Sequence, residues 1–314
     1  MLTNIVRKQW FFLLVVIVGL SIFTQILNPR FFHPNNLVNI LEQISSLGVV
    51  AAGATILIIS GNFDISVGAA VGLSASVMAM LIKGGVSSWL VVPIGLAVAV
   101  LCALFVGGTS ILFKAPSFIT SLASIGVFQG IALAITEARY QTIFGKFEAL
   151  GAVRFFDIIP LIFLVAASVY VLVYFILQRS ILGRRIFAIG SNRQAAYLAG
   201  INVNANKLLF FALNGLLVGV AATMILSRIG SAQASTGAGM ELRAIGAAVI
   251  GGAVMTGGKG SILGTFLGVL LMGVISNSLN MLQVSPYFQD VTFGMVLIVA
   301  LGVSSFSQLK QRAV

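Results

Sequence analysis

Long apolar runs, interrupted by short polar or turn-forming stretches, repeat along this chain. Ten of them occupy residues 10–27, 41–60, 67–82, 88–113, 117–136, 158–177, 208–227, 244–255, 262–282 and 291–306. Most approach the ~20 apolar residues that a helix needs to cross a hydrocarbon core. The pattern therefore predicts an all-α membrane protein, a polytopic bundle of about ten transmembrane helices. The run 244–255 is short for a span and is expected to be tilted, broken or extended at one end. The first run follows Arg7 and Lys8 and ends at the turn Asn28-Pro29-Arg30, with no small-residue cleavage motif. It reads as a retained span rather than a signal peptide.

Composition agrees. Of 314 residues, 59% are hydrophobic and 8% charged, and mean hydropathy is +1.11. A soluble domain carries about three times that charged fraction. Ten spans use about 200 positions, so the chain reads as one transmembrane domain over 1–314, with short loops and no soluble domain. The net charge of +11 is scattered over the ends of apolar runs, without interleaved aromatics. That distribution reports topology rather than nucleic-acid binding. Cys102 is the single cysteine and lies within an apolar run, which excludes an intrachain disulfide or a multi-cysteine metal site. The single histidine, His33, reads as an interfacial residue.

Charge also orients the bundle. Residues 179–207 hold Arg179, Arg184, Arg185, Arg193 and Lys207 and no acid, whereas 137–157 are balanced at three basic and three acidic residues. Positive charge collects on the cytoplasmic side, so 179–207 is expected inside and 137–157 outside. With the N-terminus inside, the inner side gathers Arg7, Lys8, Lys114, the five of the basic segment, Lys259, Lys310 and Arg312. The outer side gathers Arg30, Lys83, Arg139, Lys146, Arg154, Arg228 and Arg243. Of the seven acids, Glu42, Glu137, Glu148, Asp157, Glu241 and Asp290 fall on or near the outer side, and Asp64 falls inside. An even number of spans puts both termini in the cytoplasm.

Glycine is patterned at i, i+4 in Gly68/Gly72, Gly126/Gly130, Gly215/Gly219 and Gly260/Gly264/Gly268. Such stripes let helix backbones approach closely, and read as packing seams before dimerisation or gating surfaces. Two glycine-containing hairpins on the inner side, Gly61-Asn62-Phe63-Asp64-Ile65-Ser66-Val67-Gly68 and Thr256-Gly257-Gly258-Lys259-Gly260-Ser261, resemble each other loosely. The second is not a phosphate loop. That motif needs a glycine five positions before Gly-Lys and a Ser or Thr after the lysine, and here those positions are Ala253 and Gly260. Energy from ATP must then arrive through a partner.

Asp64 is an acid at the membrane, a costly placement that often marks function. Within Asp64-Ile65-Ser66 it reads first as a cap for the following helix, with a proton relay as the alternative. The polar residues inside spans are mostly uncharged: Gln43, Thr120, Ser121, Gln129, Asn214, Ser276, Asn277 and Asn280. Singly each suits helix–helix hydrogen bonding. Together, with Gln129, Asn214, Asn277 and Asn280 as the named candidates, they suit a path for a neutral polyhydroxylated solute better than one for an ion.

Within the basic segment lies a short helix signal over 191–200. Ser191 is the expected N-cap, Gln194 stands at capping-box spacing, and Gly200 supplies a left-handed stop. Ala195, Leu198 and Ala199 give a small apolar face. Two turns are marginal alone in water, so this helix needs a surface: a partner protein, its own bundle, or the lipid interface.

The ordered set of motifs resembles the permease subunits of bacterial ABC importers for monosaccharides, the ribose-type family. It comprises Asn28-Pro29-Arg30-Phe31-Phe32, Asn36-Leu37-Val38-Asn39-Ile40-Leu41 and Gly61–Gly68. It continues through Gly183-Arg184-Arg185, Ala188-Ile189-Gly190-Ser191-Asn192 and Ala195-Ala196-Tyr197-Leu198-Ala199-Gly200-Ile201. Gly239-Met240-Glu241-Leu242, Gly251-Gly252, Gly257-Gly258-Lys259-Gly260 and Asn280 complete it. Asn62 departs from the family's second hairpin glycine, and Gly246 stands where alanine is common. The resemblance implies a multi-pass subunit of the bacterial inner membrane with no catalysis of its own, working as a pair with a second permease copy. ATP and Mg would be used by cytoplasmic ATP-binding cassette subunits, and sugar delivered by an extracytoplasmic binding protein. The family's coupling helix falls on 192–200, so Ser191, Asn192, Arg193, Gln194, Ala195, Ala196, Leu198 and Gly200 are expected to meet the ATPase. The inner hairpin is represented by Gly61, Asp64 and Ser66. Outer segments 137–157 and 229–243 are the expected docking surfaces for the binding protein, with Arg139, Arg154, Arg228, Glu241 and Arg243 as contacts. The alternatives are an ion-coupled secondary transporter acting alone, and an ABC permease for a nucleoside or another small polar solute.

Overall fold

A computed structural model describes residues 2–156 and 158–312, with side chains described for 10–156, 158–299 and 302. Asp157 and the side chains of Arg7, Lys8, Lys310 and Arg312 lie outside the described residues. The described chain is all-α apart from four two-residue strands. Helices α1 (Leu2–Leu27), α2 (Pro34–Ile59), α3 (Val67–Lys83), α4 (Ser88–Leu112) and α5 (Ser117–Thr136) come first. A connecting region follows with β1 (Gln141–Thr142), α6 (Ala149–Ala152), β2 (Arg154–Phe155) and β3 (Ile159–Pro160). The second half holds α7 (Leu161–Arg179), α8 (Ile181–Ser191), α9 (Arg193–Leu198), α10 (Val203–Ile229), β4 (Ser231–Ala232), α11 (Met240–Ile250), α12 (Ile262–Met281) and α13 (Pro286–Arg312).

Each of the ten apolar runs falls on a helix. Among the described residues, α1, α2, α4, α5, α7, α10 and α12 are long and apolar enough to cross a membrane. Helices α3 and the described part of α13 are apolar but shorter, and α11 has 11 residues. The short run at 244–255 is thus a broken one: α11 ends at Ile250, and Met255 lies in the turns that follow.

The bundle is built around α2, whose apolar window is 83% buried, flanked by α10 at 67% and α12 at 61%. Helices α1 and α5, at 17% and 22%, form the periphery. Lipid supplies no hydrophobic drive between helices, so close backbone approach and polar side-chain bonds must hold them. Both are present. Thr55 and Thr265 hydroxyls bond at 2.8 Å between α2 and α12. Thr24 donates to Ser278 at 2.8 Å between α1 and α12, and Ser74 donates to the Gly95 carbonyl at 2.8 Å between α3 and α4. A Cβ on Gly215 would meet the backbone of Ala99 and Val100 of α4, and one on Gly264 would meet the backbone of Gly251. The stripes are not equivalent, however. Around Gly126 and Gly130 there is open space, so the α5 stripe is no seam within this chain.

Strands β1 and β4 pair antiparallel, Gln141 opposite Ala232 and Thr142 opposite Ser231, and β2 pairs with β3. The connections after α5 and after α10 therefore share one end of the bundle. Helix α7 carries the chain from that end to the other, where α8 and α9 sit, and α10 carries it back to β4.

Gly215→Val should cost the purified chain about 1–3 kcal/mol through overpacking against α4, read as thermal stability in detergent. Gly130→Ala should leave it unchanged; equal losses would contradict this account of the seams.

Candidate functional site

At the α8–α9 end the local chemistry differs from the expectation in one respect. Ser191 is the last residue of α8, not the N-cap of α9, so no capping box with Gln194 forms. The break comes at Asn192, in extended geometry, whose side chain accepts from the Ala195 amide at 2.9 Å. The helical run continues through Ser191 because Gly190 packs its bare α-carbon against the Ile59 carbonyl and the Gly258 amide. The C-terminus matches its expectation. Gly200 has φ +79°, its amide bonds to Tyr197 O and the Ile201 amide to Ala196 O, the paired bonds of a Schellman stop.

Helix α8 precedes α9 as a separate amphipathic element. Ser180 caps it by accepting from the Gly183 amide at 3.0 Å. Gly183, Ile186 and Ile189 are buried while Arg184 and Arg185 are exposed, a three-residue spacing visible in the sequence. Helix α9 buries Ala196 alone. Arg193, Gln194, Ala195, Tyr197, Leu198 and Ala199 are exposed, Leu198 to 76%. Lys207 is no surface charge: it is buried at the start of α10, its ammonium donating to Ser110 Oγ at 2.6 Å.

Both glycine-containing hairpins meet this end. The Gly258 amide donates to Ile59 O at 2.8 Å, and Gly257 and Gly258 lie against Gly190, Gly61 and Ser191. Gly61, Gly257 and Gly258 all have positive φ. Asn62 does not, and its amide instead donates to Ser60, so this position has no need of the family's glycine.

From Gly61 the chain turns back into the bundle. The Phe63 amide donates to Ser117 Oγ and the Ile65 amide to Ser121 Oγ, at 2.9 and 3.2 Å. Asp64 is 6% exposed. One carboxylate oxygen accepts from the Ser66 amide at 2.9 Å and the Ser66 hydroxyl at 2.6 Å, and the other from Asn214 Nδ2 at 3.2 Å. Its capping role is therefore narrower than expected. It braces Ser66, at the mouth of α3, and ties that mouth to α10.

The chain re-enters from the opposite end as well. After β4, Ala234 packs against Gly72 and Gly237 against Gly68, where only small residues fit. Glu241, expected at the outer surface, is drawn in beside Gly68. One of its oxygens accepts from the Gly239 amide at 3.2 Å; the other is buried without a partner. A cavity of about 110 Å³ lies here, lined by Gln129, Ser235, Glu241 and Ile65 among others. A second, of about 150 Å³, shares Gln129 and Ser235 and extends past Leu133 and Ala138.

The structure does not bring the four path candidates together. Gln129 lines both cavities, and Asn214 is buried on Asp64. Asn277 instead exchanges two hydrogen bonds with Asn36, at 2.8 and 2.9 Å, latching α12 to α2. Asn280 accepts from Gln289 at 2.8 Å. The arginines expected on the outer side also divide. Arg154 and Arg228 both bind the buried carboxylate of Glu42, at 3.1 and 3.2 Å. Arg243 pairs with Asp290 at 3.2 Å and lies over the Phe293 ring. Arg139 stays exposed, beside an equally exposed Glu137.

A family model described as the permease component of the branched-chain amino acid transport system matches residues 36–301. The chain is 40% identical to the ribose import permease of Bacillus subtilis over 293 residues, 92% of this chain and 88% of the relative. It is 33% identical to the ribose import permease of Escherichia coli K12 over 306 residues, 94% of this chain and 93% of the relative. With the L-arabinose transport system permease of the same strain it shares 34% identity over 303 residues, 96% of this chain and 92% of the relative.

Glu42→Gln should lower thermal stability by about 1–3 kcal/mol, less than a fully buried pair would lose, because its two arginines are partly in water. Arg139→Ala should stay within about 0.5 kcal/mol. Equal effects in denaturation of the purified chain would contradict the division of the arginines.

Proposed function

This chain belongs to the permease family of bacterial ABC importers, and on that premise we propose that it carries a monosaccharide, a pentose such as ribose or arabinose, into the cytoplasm by alternating access. The chain is not itself catalytic: in this family ATP hydrolysis resides on a separate subunit. In the proposed arrangement ten helices span the inner membrane with both termini cytoplasmic, as the distribution of Lys and Arg favours. The α8–α9 end faces the cytoplasm and the paired strands β1 and β4 face outward. Two permease copies sit on two ATPase subunits and receive solute from a binding protein.

One observation carries the coupling assignment. Helix α9 is capped at both ends, yet buries only Ala196 and leaves Tyr197 and Leu198 in the open. A two-turn helix is marginal without a surface, and an ATPase groove supplies one. Force applied at α9 has a route into the bundle through α8, whose Gly190 and Ser191 pack on Gly61, Gly257 and Gly258. Those residues open onto the re-entrant segment braced by Asp64. ATP and Mg bound by the partner drive the ATPases together, and the paired α9 helices move with them. At the outer end, Arg139, whose one ion pair among the described residues is an exposed one with Glu137 at 3.5 Å, is the candidate to exchange that acid for one of the binding protein, since Arg154 and Arg228 are engaged by the buried Glu42.

Gly200→Val forces a β-branched residue to φ +79°, a strain of about 1–3 kcal/mol. In the assembled transporter, uptake should fall severalfold while ATP hydrolysis persists. Unchanged uptake would remove α9 from the coupling route.

A further inference from the structure

We propose that Glu241, with Gln129 and Ser235, forms an intramembrane relay subsite that holds hydroxyl groups of the solute part-way through the bundle. This rests on the monosaccharide reading above and goes beyond it in naming where the passing solute is bound.

Three observations place the subsite. The first is depth. Gln129 is twelve residues into α5, roughly 18 Å from that helix's first residue at 1.5 Å per residue. The start of α3 at Gly68 and the start of α11 at Glu241 meet at the same place, so two short helices begin beside one cavity. Discontinuous helices whose N-termini meet inside a bundle recur at transporter solute sites, because their free amides and aligned dipoles favour acceptor-bearing ligands and side chains.

The second is an unanswered acceptor. A buried carboxylate oxygen without a donor is costly, and Glu241 has one, although its other oxygen is held by the Gly239 amide. The nearby cation, Arg243, is turned to Asp290 and Phe293. Gln129 and Ser235 make no side-chain hydrogen bond among the described residues and face the same cavity. Together they offer a carboxylate acceptor, an amide and a hydroxyl. Gly68, Ala69 and Ile125 supply small and apolar walls, which suit the C–H face of a sugar ring. One carboxylate in such a setting is too few charged ligands for a metal ion, and no group of three metal-ligating residues exists among the described residues.

The third is continuity. The two cavities share Gln129, Ala234 and Ser235 in their walls; the larger is lined also by Gln233, Leu133 and Ala138, and the smaller also by Glu241 and Ile65. Ile65 belongs to the segment that Asp64 braces. In the proposed path, solute enters from the strand-bearing side past Gln233 and Ala234, which follow β4, is held at the subsite, and leaves when the segment carrying Ile65 moves.

The test uses the transporter assembled with its ATPase and binding protein in proteoliposomes, with labelled D-ribose and L-arabinose as probes. Glu241→Gln keeps the acceptor for the Gly239 amide and removes the charge. Uptake should fall about 10–100-fold, the loss of one charge-assisted hydrogen bond, while ATPase stimulation by the binding protein stays within about twofold. Uptake within about twofold of the unaltered transporter would overturn the subsite. If Glu241→Gln fails to assemble, Gln129→Ala, on the exposed face of α5, decides. It should lose about fivefold or more in uptake, consistent with one neutral hydrogen bond, and no loss would overturn the proposal. If the unaltered transporter carries neither pentose, the monosaccharide reading falls, and this subsite with it; uptake by the unaltered transporter together with unaffected variants sinks the subsite alone.

Discussion

A backbone that leaves the helix inside a bilayer must find hydrogen-bond partners in the protein, because lipid offers none. The rest of this fold depends on how residues 60–66 meet that demand. Ser117 and Ser121 accept the amides of Phe63 and Ile65, and Asp64 accepts that of Ser66. The carboxylate's second oxygen reaches Asn214 on α10. These bonds let α3 begin in the bundle interior rather than at its edge. With α3 placed there, Gly68 and Gly72 offer a flat surface on which residues 234–241 return from the opposite end. Two short helices and the cavity between them follow from that single interruption.

The same constraint links the ends. Below the interruption, Ile59, Gly61, Gly190 and Gly258 crowd together with no side chain between their backbones. At the strand-bearing end, Glu42 gathers Arg154 of β2 and Arg228 from the last turn of α10. The chain therefore has a tight, glycine-lined junction beneath the cavity and an ionic clasp at the far end. A carrier that opens alternately to each side needs contacts of this kind: discrete packings that exchange, rather than a continuously deformable interior.

Much of this was legible in the residues. Each of the ten apolar runs falls on a helix, although 251–255 of the shortest lies in turns, because apolar length is a local property of sequence. The left-handed stop at Gly200 was equally local. What escaped was non-local or compensated. Nothing near Glu241 says that Ala234 and Gly237 will fit against α3 and draw it inward. Asn277 follows the reading given to such residues singly, helix–helix hydrogen bonding, but its partner Asn36, 241 positions away, could not be named from sequence. The Ser191 cap was a one-residue error with a tertiary cause, since α8 runs on until its Gly190 has packed on Ile59. The α5 stripe at Gly126 and Gly130 has the sequence of a seam and packs on nothing within this chain.

The central claim is that the α8–α9 end faces the cytoplasm and receives the ATPase. Cys102 is the single cysteine and is buried, so a Cys102→Ser background carrying Leu198→Cys or Tyr140→Cys gives one exposed thiol at either end. In intact cells an impermeant maleimide should label Tyr140→Cys and spare Leu198→Cys. In inverted vesicles Leu198→Cys should react once the ATPase is stripped away and be protected when it is restored. Labelling of Leu198→Cys from outside, or reactivity unaffected by the ATPase, would contradict the account.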